Sequence, residues 1–202
     1  MTVHHSRSGK KVRLSNAQKL FGRERDTVDE AYAGDVIGIV GKDDFGIGDT
    51  LTEDPAIIYE EIPRFTPETF AYLHNPNTAK YKRFRDGLQQ LLQEGVVQSF
   101  EMESALQKVP LLAAVGPLQF EVVQYRLESE YGAESRFEPT PYNIARWLRT
   151  KDGTNSEPDL PFSAALAKDG GGQRVVLFQD EWSLRYFTER NPNFEISDSP
   201  FQ

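Results

Sequence analysis

The chain has 202 residues, 38% of them hydrophobic and 27% charged, with no cysteine and a formal net charge of −8. That balance belongs to a folded globular protein of one large or two small domains and not to a disordered one. It excludes disulfides, cysteine zinc sites and a thiol nucleophile, and no apolar run approaches the roughly 18 residues that span a bilayer.

Residues 1–54 read as short strands. Thr2–His5, Lys11–Leu14, Asp35–Val40 and Thr50–Thr52 are separated by turn signals at Ser8-Gly9, Ala33-Gly34 and Gly46-Ile47-Gly48. Short strands with glycine turns predict a partial β-barrel over residues 1–55. The strands are too few to close it, and open edges point to a piece of a longer protein. Pro55 and Pro63 bracket a link, with Ala56–Ile62 as a strand entering a second domain, residues 56–202. Asn75-Pro76-Asn77-Thr78 marks a turn and a helix N-cap. In Lys80–Glu94, the side chains Tyr81, Phe84, Leu88, Leu91 and Leu92 share one helical face, and Gly95 stops the helix. Val96–Met102 and Val109–Val115 are apolar runs bounded by breakers and read as strands. Pro117 opens a second helix with an inward stripe of Phe120, Val123, Leu127 and Tyr131, ended by Gly132.

Ser135–Glu138 and Ile144–Arg149 are further strand candidates. The order from Ala56 to Glu138 is then β-α-β-β-α-β, the ferredoxin-like split βαβ arrangement. The tail reads as an αβα extension. It has a helix near Phe162–Lys168, a flexible glycine connection at Gly170–Gly172, a strand at Arg174–Phe178 and a helix at Glu181–Arg190, capped by Asp180 and ended by Asn191-Pro192. The predicted class is α+β, with no internal repeat.

Charge is unevenly spread. Residues 1–25 carry Arg7, Lys10, Lys11, Arg13, Lys19, Arg23 and Arg25 against Glu24 alone, while residues 26–80 are net −9. A basic head on an acidic body binds phosphate locally while the rest stays soluble. A second group, Lys80, Lys82, Arg83 and Arg85, crowds one helix with no acid before Asp86. Arg7, Lys10, Lys11, Arg13, Arg23, Arg25, Lys80, Lys82, Arg83 and Arg85 are therefore the candidate RNA contacts. The plainer alternatives are a strand edge charged against pairing and a solvated helix face.

Other constellations fail on spacing. Ser8-Gly9-Lys10-Lys11 has His4 where a phosphate loop needs glycine and Lys11 where it needs Ser or Thr. His4 and His5 are adjacent, so on a strand they diverge, and His74 is remote in sequence. Asp43-Asp44 and Glu60-Glu61 also diverge as sequence neighbours. Glu101 and Glu103 share a strand face without any mark of catalysis. No catalytic, cofactor-binding or metal-ligating residue is assigned.

Val3-His4-His5-Ser6-Arg7-Ser8-Gly9-Lys10 with Arg13-Leu14-Ser15-Asn16-Ala17 resembles the later strands of domain II in the peptide chain release factor 3 family. So does Ala31-Tyr32-Ala33-Gly34-Asp35-Val36-Ile37-Gly38 with Ile47-Gly48-Asp49-Thr50, a pattern shared with other translational GTPases. Ile62-Pro63-Arg64-Phe65-Thr66-Pro67-Glu68 resembles the family's entry to domain III, and Leu91–Gln98 its helix-to-strand turn. Ala114-Val115-Gly116-Pro117-Leu118-Gln119-Phe120-Glu121-Val122-Val123 resembles its most recognisable block, where elongation factor G differs. Arg126–Tyr131 and Ala145-Arg146-Trp147 extend the likeness, which weakens after Arg149.

The resemblance implies a part in translation termination in the cytoplasm. Members use GTP to dissociate class I release factors from the ribosome once the peptide is free. No P-loop and no Asn-Lys-x-Asp guanine motif occurs in this chain. GTP and Mg thus belong to the intact protein, and this chain reads as a non-enzymatic C-terminal part. The implied partners are the ribosome, mainly small-subunit rRNA and protein, indirectly class I release factors, and the factor's own GTPase domain, with no membrane. By the same analogy the basic surface from Arg7 to Arg25 is the leading rRNA candidate, and Gly116 to Phe120 is structural. Gly116 permits the strand-to-helix turn, and Phe120 packs the helix on the sheet. The alternatives are the same region of an elongation factor G relative, or a self-contained acid/base enzyme, which needs converging carboxylates.

Overall fold

The computed structural model describes residues 1–14, 17–21, 24–27, 30–39, 45–59, 65–104, 109–154 and 156–201. They form two compact units, Met1–Pro63 and Arg64–Gln202, whereas the sequence reading places the division after residue 55.

The first unit holds β1 (Thr2–His5), β2 (Lys10–Arg13), β3 (Ala17–Phe21), β4 (Glu24–Thr27), β5 (Ile37–Ile39) and β6 (Leu51–Thr52). These pair antiparallel as two three-stranded sheets, β2-β1-β6 and β4-β3-β5. β1, β2, β5 and β6 fall on expected strands. β3 and β4 do not, because Gln18, Lys19 and Glu24–Asp26 interrupt the apolar alternation on which strand reading depends.

The second unit opens with β7 (Thr69–His74). A 3-10 turn at Thr78–Lys80 follows, whose N-cap Asn77 accepts from the Ala79 N–H. Then come α1 (Tyr81–Gln93), β8 (Gln98–Met102), β9 (Leu111–Ala114), α2 (Leu118–Tyr131) and β10 (Arg136–Pro139). The order β-α-β-β-α-β is as expected, but its first strand is β7. The described part of the segment Ala56–Ile62 carries no strand, and its last residues lie outside the described ones. The pairing order β10-β7-β9-β8 is antiparallel throughout.

α1 ends in a Schellman motif. The Gly95 N–H reaches the Leu92 carbonyl at 3.1 Å and the Val96 N–H the Leu91 carbonyl at 3.2 Å, with Gly95 at φ 69°. Phe84, Gly87, Leu88 and Leu91 form the buried face. Tyr81 does not join it; at the first turn it is 57% exposed.

The tail is not αβα. β11 (Ile144–Thr150), β12 (Ala164–Asp169), β13 (Arg174–Phe178), α3 (Glu181–Arg190) and β14 (Phe194–Ser197) extend the sheet to eight strands through β8 and β12. Ala164-Ala165-Leu166-Ala167 has high helix propensity, yet it pairs with β8 on one side and β13 on the other; ladder bonds and burial outweigh a propensity worth tenths of a kcal/mol per residue. The glycines of 170–172 form a tight hairpin rather than a flexible connection. Asp169 accepts from the Gly171 and Gln173 N–H groups at 2.9 and 2.8 Å and from the Trp147 indole at 2.8 Å.

The second half repeats the first. Its order β14-β11-β13-β12 matches β10-β7-β9-β8 with the same antiparallel pairings, and only the first crossover helix is lacking. The halves meet where β8 pairs antiparallel with β12. Alternate residues divide the faces. Leu112 packs under α1 and α2, and Val176 and Phe178 pack against Phe187 of α3. Phe70, Phe100, Trp147, Val175 and Leu177 fill the opposite face.

The sheet must roll. Four residues separate β10 from β11, which stand six places apart in the sheet. On a flat sheet that is ~29 Å, but so short a link spans at most ~18 Å. The Thr66 hydroxyl, in the segment entering β7, accordingly reaches the carbonyl of Asp198, just past β14, at 3.0 Å.

Candidate functional site

Strand pairing sorts the cations of the first unit. Thr2 stands opposite Arg13 and His4 opposite Lys11, so Lys11, Arg13 and His4 share one face of the β1–β2 ribbon. Lys10 turns to the other face, with Val12, Val3 and His5. Lys10, Lys11 and Arg13 are exposed, and among the described residues none of them is in an ion pair. Arg25 lies in β4 with its side chain outside the described atoms, and Arg23 lies outside the described residues.

Arg7 is differently employed. Its guanidinium grips Asp49 through two bonds of 2.8 and 2.9 Å. The Gly46 N–H adds a bond of 2.6 Å to the same carboxylate, and His5 Nε2 lies 2.8 Å from it. An ionised carboxylate only accepts, so Nε2 carries the proton there. Ser8 Oγ closes the chain at 2.9 Å from His5 Nδ1. Burial of Asp49 by itself raises its carboxyl; the bonds from Arg7, Gly46 and His5 outweigh that and hold it at about 2. The set contains the residue types of an acyl-transfer triad, but Arg7 neutralises the carboxylate. Its evident work is to tie the β1–β2 turn to the loop before β6.

The second group sits at the start of α1. Lys82, Arg83 and Arg85 are exposed, and the first turn holds no acid, so the positive end of the helix dipole adds to their field. Arg85 pairs with Asp86 at 3.2 Å. Arg83 leans over Gly132 at the C-terminal end of α2, its Nη1 3.7 Å from where a Cβ there would stand. Lys80 and Lys82 have no ion-pair partner among the described residues. The two groups belong to different units.

Other charges are absorbed by the fold. Arg126 binds Glu130 at 2.6 Å and also binds Glu94 at the end of α1. Its guanidinium lowers both carboxyls and is itself raised. Glu103 lies 3.6 Å from Arg174, which also bonds Glu157 at 2.6 Å, so Glu101 and Glu103 do not form a free acidic pair. His74 faces Glu138 at 2.9 Å. Asp43-Asp44 and Glu60-Glu61 lie outside the described residues.

The block from Gly116 to Phe120 is structural for a reason other than the one expected from the sequence. Gly116 has no positive φ and open space where a Cβ would go, so glycine is not what permits the turn. Gln119 does that work. Its Oε1 accepts from the Val115 and Gly116 N–H groups at 2.9 and 3.1 Å, and its Nε2 donates to the Val96 carbonyl at 2.8 Å. Its place three residues after Gly116, at a helix start, is the usual position of a reciprocal cap and was the available signal. Phe120 does pack on the sheet, against Phe137 at 4.8 Å between ring centres.

Comparison with known proteins gives the chain its relatives. Residues 59–188 match the family described as "Class II release factor RF3, C-terminal domain", and residues 1–54 match "Elongation factor G domain 2". The chain is 48% identical over 199 residues to a peptide chain release factor 3 of Gloeobacter violaceus, covering 98% of this chain and 38% of that protein. It is 46% identical to one from Acaryochloris marina and 47% identical to one from Gloeothece citriformis, each over 98% of this chain and 36% of the relative. The chain thus spans little more than a third of the length of these relatives. A crystal structure of a Thermus thermophilus protein covers 84% of this chain and 26% of its own at a TM-score of 0.58 and 21% identity, a likeness of fold. Among the described residues no helix is long and apolar enough to cross a membrane.

Proposed function

Since the chain belongs to the family of the class II release factor RF3, we propose that it forms the ribosome-binding C-terminal region of a peptide chain release factor 3. The observation that carries this is the 48% identity to a protein of that name across 98% of the chain. In the intact factor, GTP and Mg would be held by a GTPase domain outside this chain and used in the cytoplasm to release class I factors after termination. This chain's share is attachment. Lys11 and Arg13, with His4 beside them, form the leading phosphate-facing strip on the first unit. Lys80 and Lys82 form a second on the other unit. Arg7, Lys10, Arg83 and Arg85 are secondary contacts, since three of them already face protein partners and Lys10 points away from the strip. Arg23 and Arg25 complete the basic head.

The test is binding to purified small ribosomal subunits at stepped salt. Removing one cation that meets a phosphate reduces the slope of log K against log salt by about 1. Lys11→Glu with Arg13→Glu should weaken binding and flatten the slope by about 2, while Lys10→Glu, on the opposite face, should do less. Equal affinity and slope for the double variant and the unaltered chain would remove the strip from the interface.

A further inference from the structure

Past β14 the chain turns back over the sheet face opposite the helices. The Ser197 hydroxyl accepts from the Ser199 N–H at 3.2 Å and starts the turn. Phe201 then lies half-buried against the cluster of Phe70, Phe100 and Trp147. Trp147 and Arg149 stand two residues apart on β11 and so share that face. The Arg149 guanidinium covers the Phe201 ring at 4.3 Å and is itself held by Glu195 of β14 at 2.7 Å. Gln173, just before β13, holds both backbone groups of Phe201. Its Nε2 donates to the Phe201 carbonyl at 2.8 Å, and its Oε1 accepts from the Phe201 N–H at 2.9 Å. Asp169 fixes the Gln173 N–H in turn, at 2.8 Å. Together these groups make a slot for one aromatic residue of an extended chain.

The same segment fastens a place remote in sequence. The Asp198 carbonyl accepts from the Thr66 hydroxyl at 3.0 Å, and the Asp198 carboxylate lies 3.6 Å from Arg146. Thr66 belongs to the stretch by which the chain enters the second unit. That stretch also has an exposed bond from Gln98 Nε2 to the Phe65 carbonyl at 3.1 Å. Its next anchor is the Glu68 N–H on the Ala114 carbonyl at 2.9 Å. Two neutral hydrogen bonds and a cation–π contact are set against the entropy of ordering residues 198–201. Such a closure is weaker than the ladders around it and opens without disturbing the sheet.

We propose that residues 198–201 form a releasable latch, with Phe201 seated in the Arg149–Gln173 slot, which sets where the second unit takes hold of the incoming chain. Closed, it pins Thr66 through Asp198. Open, it leaves the hold to the exposed Gln98 bond and then to Glu68. Residues 65–67 then join the free chain ahead of the unit and add about 10 Å of reach.

The experiment times chymotrypsin cleavage after Phe65, whose ring is exposed, with product masses identifying the bond cut. Cleavage after Phe162, exposed in the same unit, is the reference. Where closing is fast, proteolysis follows the population of the open form. Phe201→Ala and Gln173→Ala should each speed the Phe65 cut roughly tenfold against the reference, with the melting transition kept. Phe201→Tyr, which retains a ring, should return the unaltered rate. An unchanged Phe65 cut in either alanine variant overturns the proposal. Equal acceleration after Phe65 and Phe162 also overturns it, as does loss of the melting transition in both alanine variants. Either result would make Phe201 an ordinary part of the core. Acceleration by Phe201→Tyr as large as by Phe201→Ala overturns it too, since the ring would then not be what closes the latch. No ribosome enters the assay, so its outcome is independent of the binding reading.

Discussion

Gly87→Ala sets two effects of opposite sign against each other. In an unobstructed helix the change stabilises by about 1 kcal/mol, because alanine loses less freedom on folding. Here a Cβ on Gly87 would stand 2.7 Å from both Cγ and Cδ2 of Tyr131 and 3.0 Å from Leu127 Cδ2. Carbon atoms prefer about 3.5–4.0 Å, so the overlap is about 1 Å against the root of a ring. The ring has little room to yield. Its hydroxyl donates to Gln90 at 2.7 Å, and Leu127 is fully buried. Overpacking of this kind costs about 1–3 kcal/mol, so the net change should be destabilising, by about 1 kcal/mol. Both tryptophans lie in the second unit and Trp147 is buried, so tryptophan fluorescence during urea unfolding reports this unit alone. The midpoint should fall with little change in slope. In a Tyr131→Ala background the same substitution should become stabilising. A midpoint that rises in the unaltered background would refute the close α1–α2 approach.

Three further outcomes rest on named contacts. Gln119→Leu leaves two N–H groups and one carbonyl without their partner and should cost about 1–3 kcal/mol in the same assay; a change below about 0.5 kcal/mol would mean that water replaces the clamp. Asp49, depressed to about 2 from the usual 3.8, contributes stability above pH 3.8 that disappears as pH falls through that value towards 2. The shift corresponds to about 2 kcal/mol. A carboxyl carbon titration by nuclear magnetic resonance should place its midpoint near 2, and a midpoint near 4 would contradict the Arg7–His5–Gly46 cradle. Asp169→Ala should loosen the β12–β13 hairpin and expose the Trp147 indole N–H, read as a red shift in its emission; an unshifted spectrum would count against the bond.

The helices are legible in the sequence because their signals are local. Asp180 caps α3 through the Ser183 N–H at 2.8 Å, and Gly95 and Gly132 end α1 and α2 in the left-handed region, each within a turn of the helix concerned. Strands fare less evenly. β3 and β4 escape sequence reading because Gln18, Lys19 and Glu24–Asp26 break the apolar alternation, although the two strands pair locally with each other; β14 escapes it, and β12 reads as a helix, because each is held by pairing with a strand distant in sequence, β14 with β11 and β12 with β8. The two prolines direct the search for the second unit's first strand to Ala56–Ile62, although Thr69-Phe70-Ala71-Tyr72-Leu73 has the richer β-forming composition. The cation groups are visible as clusters. Their sorting is not, since Arg7 meets an acid 42 residues away and Lys10 parts from Lys11 only once the β1–β2 register is known.

The short span from Thr140 to Asn143 has a mechanical consequence. It anchors to Phe70 through the Thr140 N–H and hydroxyl and to Phe178 through the Asn143 N–H, so covalent chain joins the two repeats at the rim while the β8–β12 ladder joins them at the middle. Fastened at two separated places, the repeats cannot hinge apart like the covers of a book. A load applied to one arrives at the other as displacement and not as bending, which makes the second unit a strut.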